Sequence, residues 1–137
     1  MLRISPKLKL RTHAALGISS VLLLATKVFL PLFENIEISI LVPLTLGRIG
    51  AIAGVAAFLS GGGLGKFLTE KRSKVAEIHM ILMLSGLLLQ VPSLSDPAPD
   101  LFKNVTAGVG LLILGVGWIY GRRIFRRTLF KFPWETK

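Results

Sequence analysis

The chain has 137 residues, 52% of them hydrophobic and 18% charged, with a mean hydropathy of +0.67. That apolar excess excludes intrinsic disorder and an ordinary small soluble domain, and points to a membrane protein. The absence of cysteine removes disulfide frameworks, thiolate zinc sites, iron–sulfur clusters and thiol nucleophiles. The formal charge of +10 would suggest nucleic acid in a soluble chain, but the placement of the basic residues gives it another meaning and no nucleic-acid partner is expected.

The first apolar segment, Ala14 to Phe33, follows the basic residues Arg3, Lys7, Lys9 and Arg11 in a segment spanning 1–12. No small-x-small pattern closes it, so it reads as a span rather than a cleaved leader. The second, Pro43 to Ser60, carries Arg48. Proline suits a first helical turn, so a start at Pro43 places Arg48 about one turn inside the boundary, within reach of Glu34 and Glu37. Residues 32–42 would then lie along the interface, with Ile36, Ile38, Ile40 and Leu41 toward lipid. The run Gly61, Gly62, Gly63, Leu64, Gly65, Lys66 lacks phosphate-loop spacing and reads as a flexible helix exit. The third segment is Val75 to Val91 and the fourth Val105 to Gly121, followed by a basic amphipathic tail over 122–137. Each segment is close to the ~20 residues that cross a bilayer core.

Fourteen of the seventeen basic residues fall before the first segment, between the second and third, or after the fourth. The other two loops hold Lys103 with Glu34, Glu37, Asp96 and Asp100. That bias predicts an all-α bundle of four transmembrane helices, one domain over 1–137, with both termini cytoplasmic. The setting would be a bacterial inner membrane or an equivalent organellar membrane, its anionic headgroups meeting the basic tail.

Laying His13–Leu24 over His79–Gln90 gives five identities in twelve positions, including both histidines of the chain. The expectation is a parallel repeat of two helices plus two, about an axis along the membrane normal. On the first helix His13, Gly17, Ser20, Leu24 and Lys27 share one face; on the third His79, Met83, Gly86 and Gln90 do. Both faces should turn inward, because polar groups are costly in lipid. The histidines then have two readings. They are interfacial residues bonded to headgroups, water or backbone, or they are the two axial ligands of haem b or a chlorin, with glycines giving a flat ring clearance. The second arrangement resembles small b-type cytochromes and anchor-type haem proteins, which set paired histidines in four-helix membrane bundles. That resemblance implies one macrocycle at most, since there are two histidines.

Gly47, Gly50 and Gly54 on the second segment, and Gly110, Gly117 and Gly121 on the fourth, form small-residue stripes. Such stripes serve packing within the bundle or docking onto another membrane subunit or a second copy. Lys27 and Arg48 are the basic residues inside the spans; Lys27 can reach the outer interface with its stem, and the pair could line a carrier path. No nucleophile, carboxylate pair or metal-ligand cluster stands out, so the expected function is non-enzymatic. An accessory, assembly or scaffold subunit leads, with a haem- or pigment-binding electron-transfer anchor as the alternative and a small channel or carrier third.

Overall fold

The computed structural model describes residues 6–32, 39, 41–68, 74–95 and 100–131. It is all-helical: α1 is Pro6–Phe29, α2 Leu41–Leu68, α3 Lys74–Leu88, α4 the single turn Pro92–Ser95, and α5 Leu101–Lys131. There are no strands among the described residues.

Local chemistry explains most boundaries. Pro6 opens α1, where a missing N–H costs nothing. Pro31 ends it, tightening Leu30–Leu32 into a 3-10 turn. Ser39 caps α2, its Oγ accepting from Leu41 N at 3.4 Å and its carbonyl from Val42 N at 2.9 Å. The helix therefore starts at Leu41 rather than Pro43, and the proline occupies the first turn. Asp100 caps α5 through Phe102 N at 3.0 Å, so that helix begins four residues before the expected Val105 and takes in Lys103.

One expectation is corrected. The glycine run from Gly61 to Gly65 continues α2 to Leu68 instead of releasing it; packing of Gly61 against α1 outweighs the poor helix propensity of glycine. The α5 helix runs ten residues past Gly121, so the basic segment is helical to Lys131, while residues 132–137 lie outside the described residues.

Three helical stretches, Leu8–Leu32, Leu41–Gly61 and Leu101–Ile124, are long and apolar enough to cross a membrane. The α3 helix has 15 residues, about 22 Å at the usual rise. Pro92 lacks the N–H that would continue the α pattern to Leu88. The chain switches there to tighter bonds, Gln90 N to Leu87 O at 3.0 Å and Val91 N to Leu88 O at 3.1 Å, before α4 resumes.

The helices pair as two antiparallel hairpins, α1 with α2 and α3 with α5, joined by lighter α1–α5 and α2–α3 contacts. Their shared interior is small: Leu24, Met83, Leu87 and Leu114, flanked by Val21 and Leu111. Large apolar side chains such as Leu22, Ile52, Leu59, Ile81 and Leu112 point outward. An apolar exterior around a thin core suits a lipid solvent, where close packing replaces the hydrophobic effect between helices.

The two hairpins repeat the same contacts. Added Cβ atoms on Gly50 and Gly110 would meet Leu23 Cβ at 3.0 Å and Leu89 Cβ at 2.9 Å. The first-helix partners lie 66 residues apart, the second-helix partners 60.

Candidate functional site: the paired histidines

His13 on α1 and His79 on α3 belong to the diagonal helices of the bundle, yet their rings meet, with centroids 6.3 Å apart and planes at 86°. Each is half-buried. His13 Nδ1 lies 2.8 Å from the carbonyl of Ala57, and His79 Nδ1 lies 2.7 Å from the carbonyl of Gly117. A carbonyl can only accept, so each Nδ1 carries the proton and donates. In the neutral ring Nε2 then keeps its lone pair. Neither Nε2 has a hydrogen-bond partner among the described residues.

The rings reach those carbonyls because of glycine. The residue one turn after each acceptor is Gly61 or Gly121, and a Cβ on either would come within 2.7 Å of the imidazole Cε1. Any side chain there would block the ring. Gly17, one turn deeper than His13 on the same face, meets nothing within 4 Å, so it leaves clearance beside the pair. Deeper still, Met83 and Leu114 close the interior.

No group of three or more His, Cys, Asp or Glu able to hold a metal occurs among the described residues. His13 and His79 are the residues that would hold a metal-bearing macrocycle, with the open space at Gly17 beside them.

The other expected residues fall into two groups. The glycine stripes lie inside the hairpins. Gly47 meets the stem of Lys27, Gly50 meets Leu23 and Leu24, and Gly54 meets Ser20 and Leu87; Gly110 meets Gly86, Leu89 and Gln90, Gly117 meets Met83, and Gly121 meets His79. At the opposite end, Lys27 is buried and donates to Ser93 Oγ. Its stem lies over Gly47, where a glycine leaves it a channel inward. Arg48 is exposed and its Nε donates to the Leu94 carbonyl at 3.2 Å. Both cations thus brace the first hairpin against residues 93–94 of the second. The expected partners Glu34 and Glu37 lie outside the described residues, as do Ile36, Ile38 and Ile40.

Buried polar groups gather on the inward faces, as expected. Gln90 Nε2 donates to the Ala107 carbonyl at 2.8 Å. Ser20 Oγ and Gln90 Oε1 are buried with no partner among the described residues.

Sequence reasoning missed Ala57, Ser60 and Gly61. A signal was present: Gly47, Gly54 and Gly61 recur at intervals of seven, which places Gly61 on the stripe facing α1. Comparison with protein-family models, curated proteins and solved structures finds no match.

Proposed function

We propose that this chain is a four-helix membrane protein that holds one planar metal-tetrapyrrole, of the haem b or chlorin type, between His13 and His79 for one-electron transfer. The observation that carries the reading is the ring pair: two imidazoles, each locked through Nδ1 to the neighbouring helix, with their centroids 6.3 Å apart. A bound tetrapyrrole would supply a metal that gains and loses one electron. The protein supplies two oriented imidazole nitrogens, glycine clearance and an apolar wall. Carbonyls that fix Nδ1–H also raise the basicity of Nε2.

In this reading α3, the following turn and α4 together make the fourth crossing, from Lys74 to Ser95. The basic clusters then lie on one side, which puts both termini in the cytoplasm of a bacterial cell or the matching side of an organellar membrane. Trp118 and Tyr120 lie at that end, with the guanidinium groups of Arg122 and Arg123 stacked 5.9 and 5.7 Å from their rings. Such amphipathic pairs suit a boundary with anionic headgroups.

The test is the reduced-minus-oxidised spectrum of the protein purified from its own membrane, compared with His13→Ala and His79→Ala. A Soret and α-band signal in the wild type, lost in each variant, supports the reading. A colourless wild type, or a signal unchanged in either variant, ends it.

A second reading, an accessory, assembly or scaffold subunit, draws on Gly108 and Gly115. Unlike the six expected stripe glycines, these two on α5 meet nothing within 4 Å and leave room for a neighbouring helix. Co-purification of a larger complex, lost in Gly115→Leu while helicity is kept, would favour it.

A further inference from the structure

The two histidines look equivalent in their contacts, but their acceptors differ. The Ala57 carbonyl, already part of the α2 ladder, takes the His13 Nδ1–H at 2.8 Å and also the Ser60 hydroxyl at 2.8 Å. Ser60 Oγ lies 3.3 Å from His13 Nδ1, beyond a normal N–H···O length, so the hydroxyl acts on the ring chiefly as a second side-chain donor to the same carbonyl. The Gly117 carbonyl takes the His79 Nδ1–H at 2.7 Å, and no hydroxyl shares it among the described residues. The position matching Ser60, three residues after the acceptor, is Tyr120, whose ring lies under the Arg123 guanidinium.

A carbonyl oxygen has two lone pairs, and each added donor weakens what it offers to the others. The more fully Nδ1–H is taken up by its acceptor, the more negative charge the ring carries and the stronger a donor Nε2 becomes. We infer that Ser60 makes the two imidazoles unequal ligands, with His79 the stronger donor and His13 the weaker. Ser60 is thus a positioning residue that tunes the site through the Ala57 carbonyl. The ligand aspect rests on the bis-histidine reading, whereas the inequality of the rings stands without it.

Removing the hydroxyl leaves His13 as the side-chain donor to the Ala57 carbonyl, beside the helix N–H. A stronger donor favours the oxidised metal, so Ser60→Ala lowers the midpoint potential of the protein loaded with iron protoporphyrin IX. Tyr120→Ser installs a competing hydroxyl beside Gly117 and raises it. Ser60→Thr keeps a hydroxyl and stays near wild type. Opposite shifts from two substitutions at equivalent places are not what loosened packing would give.

The experiment has two readouts on the full chain in detergent, after helicity is checked. The first is the ring-nitrogen NMR shifts of labelled histidine before any porphyrin is added. Two distinct rings are expected, with the His13 signal moving toward that of His79 in Ser60→Ala. The second is the potential after iron protoporphyrin IX is added. Identical ring signals in the wild type, an unmoved His13 signal in Ser60→Ala, or potentials shifting the same way in both variants would overturn the inference. If the porphyrin does not bind, the proposed function fails and the ring shifts alone decide the role of Ser60.

Discussion

The α1–α2 and α3–α5 hairpins share a contact pattern but not a chemistry. At the histidine end they agree: ring, carbonyl and glycine recur as His13, Ala57 and Gly61, and as His79, Gly117 and Gly121. Deeper in the bundle they diverge. Leu24 of the first hairpin answers to Gln90 of the second, Ser20 to Gly86, Gly54 to Leu114 and Lys27 to Ser93. Interior packing tolerates exchanging a small and a large partner across one contact, because only the summed volume matters. An imidazole held at a carbonyl tolerates no such exchange, since it depends on an absent side chain and a fixed bond direction. The difference between the ends separates what the site requires from what packing permits.

The largest effects should come from breaking the agreement. Gly61→Ala and Gly121→Ala put a methyl 2.7 Å from an imidazole Cε1, so either should expel its ring. We expect loss of the matching histidine's hydrogen-bonded ring signal and of added-porphyrin binding, with a destabilisation of about 1–3 kcal/mol by thermal unfolding. Gly17→Ala, on the same bundle face but in open space, should retain the fold and gain about 0.5–1 kcal/mol from helix propensity. Equal behaviour of the three variants would remove the glycine argument.

Next come the glycines that set the approach of the helices. Gly86 and Gly110 face each other's carbonyls, at 2.9 and 2.8 Å from an added Cβ, and backbone cannot yield. Alanine at either should cost about 1–3 kcal/mol in thermal melts. Gly54 faces the ends of flexible side chains, Leu87 Cδ2 at 2.6 Å and Ser20 Oγ at 2.7 Å, so Gly54→Ala should cost less than Gly86→Ala. The reverse order would mean that the two hairpins do not pack as described.

Making the hairpins more alike should cost little. Gln90→Leu gives the second hairpin the residue found at Leu24, removing an unpartnered buried oxygen along with one hydrogen bond. A change within about 1 kcal/mol of neutral is expected. The smallest effect belongs to the outward Leu22, 61% exposed, where Leu22→Phe should stay within about 0.5 kcal/mol.

Much of this arrangement was legible in the sequence. The inward stripe of His13, Ser20, Leu24 and Lys27 follows from helical spacing and the cost of polar groups in lipid, and the repeat of the histidines announced their pairing. What periodicity could not give was tertiary override. Nothing in the glycine run after Ser60 says that it stays helical until the His13 ring is seen against Gly61. The length of the third segment was misjudged because apolarity runs through Val91, while the hydrogen-bond pattern changes under the influence of Pro92. Lys27 is buried because Gly47 on another helix leaves room for its stem, a fact absent from its own helix.

The central claim is that His13 and His79 act together on one ligand. It is tested most directly by titrating the purified full-length protein with iron protoporphyrin IX and following the Soret band. The account predicts saturation at one porphyrin per chain with a six-coordinate, low-spin spectrum, which His13→Ala and His79→Ala each convert to a weaker, five-coordinate form or abolish. Absence of a saturable shift, or one that neither substitution changes, would contradict it.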